Sequence, residues 1–180
     1  MQAINTNASR YDALTILLHW LIALLVVEQW IGAQTIDLFP KGDLRVDARS
    51  VHIVLGASLG VLLVLRLFWR GTFGRQLPGV GNGLIRLLAK IVHWALYLAV
   101  SAQVILGLSL AWLRGDSLFG LYTIPSFDPG NKALAESLFV VHASIGWLIV
   151  ALVLVHALAA LVHQGVWRDG VLDRMRFSTR

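Results

Sequence analysis

The stretch Leu138–His163, LFVVHASIGWLIVALVLVHALAALVH, decides the fold. It contains no Asp, Glu, Lys or Arg and exceeds the roughly 20 apolar residues that a helix needs to cross a bilayer, so it reads as a membrane span. Within it stand His142, His156 and His163, and a polar side chain in hydrocarbon is costly enough to mark a functional site by default. His142 and His156 are 14 residues apart, close to four helical turns, which places them on one face about 21 Å from each other.

Three further apolar stretches run at about Leu14–Ala33, Val51–Trp69 and Ile91–Leu113. Together with the first they predict an all-α integral membrane four-helix bundle, with helices near 14–33, 51–69, 91–113 and 138–163 and residues 1–180 forming a single domain. A hydrophobic content of 57% with 14% charged residues fits that reading. The first stretch is too long for a signal-peptide core and has only Arg10 before it, so it is expected to be retained. No cysteine is present, which excludes disulfides, zinc–thiolate sites, iron–sulfur clusters and covalent haem attachment. The net charge of +5 comes from residues flanking the spans, which points to topology and not to nucleic acid.

Charge bias sets the orientation. Arg10, Arg66, Arg70, Arg75, Arg86, Lys90, Arg168, Arg174, Arg176 and Arg180 fall on one side, against Lys41, Arg45, Arg49, Arg114 and Lys132 on the other. The positive-inside rule puts the richer side, with both termini, in the cytoplasm. The connector around Gly71–Gly83 is then inner, and Asp116–Glu136, with Pro125 and Pro129, is a long outer loop. Trp20, Trp30, Trp69, Trp94, Trp112 and Tyr122 read as interfacial anchors.

All six histidines lie in or at the ends of spans. His19 and His156 share an inner level, and His52 and His142 share an outer one. One helix thus offers an imidazole to each of two stacked levels, and the first two helices supply the opposite imidazoles. Neutral imidazole is a good iron ligand, and haem takes an axial donor on each face, so the pattern suits two non-covalent haems. A proton pathway or a divalent-metal transporter also uses intramembrane histidines, but such sites usually need carboxylates, and only Glu28 lies within a span. Gly56, Gly60 and Gly146 follow these histidines at helical spacing; they either clear room for a flat macrocycle or simply pack helices closely.

Larger motifs surround the histidines. Arg10-Tyr11 precedes Leu18-His19-Trp20-Leu21; His52-x-x-x-Gly56 is followed by Arg66-Leu67-x-Trp69-Arg70; His93-x-x-x-Tyr97 follows. Then come Arg114-Gly115, Phe119-Gly120-Leu121, Pro125, His142, His156, His163 and Trp167-Arg168-Asp169-x-x-Leu172-x-Arg174-Met175. Across almost the whole chain this resembles bacterial cytochrome b561, a family that includes membrane-bound superoxide oxidases. The resemblance implies two haems b in a multi-pass protein of the bacterial inner membrane, His19 and His156 ligating the inner and His52 and His142 the outer. It also implies ubiquinone as electron acceptor and superoxide as periplasmic donor. A cytochrome b subunit that links a periplasmic redox protein to the quinone pool is the alternative, and a histidine-lined transporter or a purely structural bundle is a third.

Lys41, Arg45, Arg49, Arg114 and Lys132 are candidates for steering an anion to the outer face, or for holding lipid phosphates and propionates. His163, two turns beyond His156, is a candidate contact for a quinone carbonyl or an interfacial histidine. His93 is the rival ligand at the inner level, or a hydrogen-bonding neighbour. Arg66 and Arg70 are placed to pair with inner propionates or to anchor the inner face. Glu28, on the face of its helix opposite His19, either carries protons or turns outward.

Overall fold

The computed structural model describes residues 10–177; Arg180, part of the inner basic set, lies outside the described residues. Four long helices cross the apolar layer: α1 (Ala13–Thr35), α2 (Asp43–Thr72), α3 (Gly83–Arg114) and α4 (Lys132–Val162). Each is long and apolar enough to span a membrane. Leu24, Val64, Leu98, Ile105 and Leu154 stand exposed around the outside, as side chains facing lipid would, because hydrocarbon leaves no reason to bury them.

The helices outrun the apolar stretches that announce them. α2 begins at Asp43, not near 51; α3 begins at Gly83, not near 91; α4 begins at Lys132, not near 138. The expected outer loop is correspondingly shorter, and its last residues are helical. An apolar run reports the hydrocarbon slab of about 30 Å, whereas a 32-residue helix such as α3 is about 48 Å long and continues into the interfacial layer. Caps set the true starts: Asn82 Oδ1 accepts from Ile85 N–H, and Asn131 Oδ1 accepts from Leu134 N–H, both at 3.1 Å. α4 ends one residue early, where His163–Trp167 forms a π-helical turn closed by left-handed Arg168.

Helix α1 packs on α2, α2 on α3, and α3 on α4. Between the two histidine levels sits a hydrocarbon core of Leu59, Leu63, Ala99, Val100 and Ile149, with Ile22, Leu25, Val104 and Leu152 against it. Gly60 belongs to this packing: a Cβ there would stand 2.8 Å from Val104 Cγ1, so its lack of a side chain lets α2 approach α3.

Each end of the bundle is tied by hydrogen bonds. At the end carrying both termini, Tyr11 N–H donates to Arg174 O, Arg174 Nη1 to Pro78 O, and Trp20 Nε1 to Met175 O. At the other end Asp116 begins a segment that forms the two-residue strands β1 (Ser117–Leu118) and β2 (Tyr122–Thr123), paired antiparallel. Their turn places Phe119 and Gly120 both at positive φ, a conformation hairpins favour but side chains resist. Ser50, fully buried on α2, holds it: its Oγ donates to Ser117 O and accepts from Phe119 N–H.

Asp12 is the inner staple. Its carboxylate caps α1 by accepting from Thr15 N–H and Thr15 Oγ1 at 2.8 and 2.7 Å, and also accepts from Trp69 Nε1 on α2 and from Arg75 N–H. Partial burial raises its pKa, but the bonds from Thr15, Arg75 and Trp69 outweigh this and leave it well below the ordinary 3.8. The stability that Asp12 contributes is therefore present above its unfolded-state pKa and is lost as pH falls toward the folded-state value. Asp12→Ala is expected to cost about 1–3 kcal/mol in detergent-solubilised protein. In a thermal melt series, the variant's Tm should fall less than the parent's as pH drops from 5 to 3.

Candidate functional site

Histidines from three helices face one another at two levels. At the inner level the rings of His19 on α1 and His156 on α4 have centroids 6.1 Å apart at 77°. At the outer level His52 on α2 and His142 on α4 are 6.4 Å apart at 81°. These are the pairs that depth and helical phase select in the sequence. The space that α4 leaves toward α1 and α2 is where the rings meet.

The outer pair lines a cavity of about 550 Å³, shared by α1 to α4 and walled by Val26, Trp30, Gly56, Gly107, Gly146 and Val150. Glycine shapes it. A Cβ on Gly107 would stand 2.9 Å from His142 Cε1, and one on Gly146 would stand 3.4 Å from Gln103 Nε2. Gly56 faces Gln29 at 3.4 Å. The two readings of the small residues thus divide: Gly56 and Gly146 line the cavity and Gly60 packs helices. Buried Nδ1 atoms of His52 and His142, and Oε1 of Gln103, have no partner, while Gln103 Nε2 lies 3.2 Å from His142 Nε2. Unsatisfied polar atoms around an apolar-walled space are what a ligand-binding cavity leaves behind.

At the cavity mouth stand Arg49, paired with Asp116 at 3.2 Å, and Arg114, whose guanidinium lies over the Phe139 ring. Arg45 is tied to Asp37 and to the carbonyls of Asp37 and Phe39. Lys41 and Lys132 are exposed and do not line the cavity. Of the five outer cations, the structure therefore brings two to the site.

A third histidine joins the inner level. His93 on α3 lies 5.3 Å from His156. A metal-bound imidazole nitrogen sits about 2 Å from the metal and about 1 Å from its own ring centre, so two imidazoles across one metal place their centres about 6 Å apart. The His19–His156 separation meets that figure, and the His93–His156 contact is shorter, an edge packing. Beside them Arg66, only 6% exposed, donates to Thr15 O and Tyr97 Oη, and no carboxylate pairs with it among the described residues. His163 stands apart, its Nδ1 held by the Asp169 carboxylate and its ring against Trp167.

Gln29, Gln103 and Gly107 are not among the site residues read from the sequence, and Trp30 does more than sit near an interface: it lines the outer cavity, its Nε1 is buried without a partner, and it packs edge-on against Trp147. Gln103 had a usable signal, being an uncharged polar residue in the middle of an apolar span; Gly107, four residues on, shares its face.

A membrane-spanning helical bundle with opposed imidazoles at two depths defines the class of membrane cytochromes. A sequence model for prokaryotic cytochrome b561 matches residues 10–178. The chain is 30% identical over 172 residues to the "Probable superoxide oxidase CybB" of Yersinia pestis, covering 92% of this chain and 95% of that protein. It is 29% identical over 171 residues to "Cytochrome b561 homolog 2" of Escherichia coli, covering 92% and 90%. To "Cytochrome b562" of Cereibacter sphaeroides it is 30% identical over 175 residues, covering 94% and 97%. The chain belongs to the prokaryotic cytochrome b561 family. It is a multi-pass membrane electron-transfer protein of a family whose name implies b-type haem.

Gly107→Val is expected to lower the haem bound per chain, measured by pyridine haemochrome against protein, because its Cβ alone meets the His142 ring. Gly71→Ala, with nothing within 4 Å, should leave that ratio unchanged.

Proposed function

We propose that the chain, as one domain, holds two haems b, the inner between His19 and His156 and the outer between His52 and His142. We further propose that it passes electrons from superoxide at the periplasmic face to ubiquinone in the bacterial inner membrane. The observation that carries the haem assignment is the pair of ring separations, 6.1 and 6.4 Å, at two levels of one bundle. Both match the roughly 6 Å that opposed axial imidazoles require. The cavity walled by Gly56, Gly107 and Gly146, with the unpartnered Nδ1 of His142 and Oε1 of Gln103 beside it, fits a flat, largely apolar group. If bound there, haem would be held by His52 and His142 and would supply a one-electron centre.

The remaining residues take roles around that frame. Arg66 is a buried cation without a carboxylate partner, an expensive arrangement that an inner propionate would relieve, with Arg70 nearby on the same helix end. Arg49 and Arg114 at the outer mouth draw an anion toward the cavity, with Lys41, Arg45 and Lys132 extending the positive field. His163, whose Nδ1 is committed to Asp169, has only Nε2 left for a quinone carbonyl. In the balanced reaction two superoxide anions each lose one electron and leave as dioxygen. One quinone gains two electrons and two protons to become quinol. The relative named as a superoxide oxidase supports this choice of donor. The greater number of basic residues at the end carrying both termini supports a cytoplasmic placement of that end.

Pyridine haemochrome assay of the purified protein should give two haems b per chain; absence of haem b sinks the reading. His19→Ala or His156→Ala should lose one haem and His52→Ala or His142→Ala the other, while His93→Ala and His163→Ala retain both. Superoxide generated in the presence of ubiquinone should yield quinol. Redox-active haems without that product would instead assign the chain as an electron-transfer subunit served by a periplasmic redox protein.

A further inference from the structure

Glu28 is the one carboxylate within an apolar span, and the haem cavity does not use it. It is half-buried on α1 and lines a separate side cavity of about 260 Å³ together with Gly32, Thr35, Phe39, Ala48, Val51 and His52. His52 lines both spaces, so it stands between them. Gln29 Nε2 donates to Glu28 Oε2 at 3.1 Å, which leaves Oε1 for another partner. That atom lies 3.3 Å from the point a Gly32 Cβ would occupy, and His52 Nδ1 lies 3.9 Å from the same point. The carboxylate oxygen and the ring nitrogen are thus at most about 7 Å apart, a gap that a chain of two waters spans. Nδ1 is buried and has no partner.

A metal-ligating histidine almost always donates its other N–H to a carboxylate, a carbonyl or water, which fixes its tautomer and raises its basicity. His52 has a carboxylate across a mostly apolar side cavity whose lining includes the polar side chains of Glu28, Thr35 and His52 and which is large enough for water, and Gly32 keeps that space open. We propose that Glu28 is a positioning residue for His52, accepting through water in the side cavity the hydrogen bond that Nδ1–H donates. This rests on the reading that His52 ligates the outer haem through Nε2. A negative group behind an axial imidazole stabilises the ferric over the ferrous state, so Glu28 lowers the reduction potential of the outer haem and leaves the inner one untouched.

Potentiometric titration of detergent-solubilised Glu28→Gln tests this, the outer transition being the one missing in His142→Ala. The outer haem should shift about tenfold toward the reduced form at a fixed ambient potential, ~59 mV for one electron, with the inner transition unmoved. Gly32→Ala keeps the carboxylate but puts a methyl group into the water path; it should shift the same transition in the same direction, and it decides alone if Glu28→Gln does not retain both haems. An equal shift of both haems, or an outer potential unchanged in variants that keep two haems, overturns the role of Glu28. A parent protein with no outer haem overturns the underlying assignment instead, and the haem count made before titration separates the two.

Discussion

Hydrocarbon offers no hydrogen bonds, and the rest of this molecule follows from that. Backbone polar groups must close on themselves, so the chain crosses the apolar layer only as helices, and each polar side chain left inside must be matched to something. Arg66 takes a backbone carbonyl from α1 and a hydroxyl from α3. The histidines are matched only in part: the Nδ1 atoms of the outer pair remain without partners while the rings face one another across open space. The polar groups of the spans are thereby sorted into those that join helices and those that hold helices apart.

That sorting explains the uneven packing. α3 and α4 lie together along their length, as do α1 and α2, whereas α4 keeps its distance from α1 and α2 where the imidazoles oppose each other. Glycine enforces both conditions, through Gly60 where helices close up and through Gly107 where a ring needs room. The ends compensate for the open interior. Asp12 gathers α1, α2 and the α2–α3 connector on one side, and Ser50 and Arg49 gather α2 and the hairpin on the other.

The number of helices and the pairing of histidines were legible in the sequence because both are periodic properties of long apolar segments, and depth is counted directly along such a helix. Helix starts were not: hydropathy falls off at the edge of the hydrocarbon, while Asn82 and Asn131 carry α3 and α4 further out. The cavity-lining place of Trp30 was hidden for a related reason, since interfacial depth and cavity lining look alike until the neighbouring helix is in place. Gly107 and Gln103 take their meaning from the α3–α4 contact, which no local pattern encodes. The Glu28–Gly32–His52 grouping likewise depends on how α1 meets α2, and position along α1 alone left Glu28 with two unrelated readings.

The layer of Leu59, Leu63, Ala99, Val100 and Ile149 between the two histidine levels consists of hydrocarbon side chains only. Tyr97, packed against it, hydrogen-bonds Arg66 through its hydroxyl. Among the layer's five side chains a water molecule would find no donor or acceptor to hold it. The two histidine levels therefore have apolar packing between them, and that packing sets the distance from one level to the other.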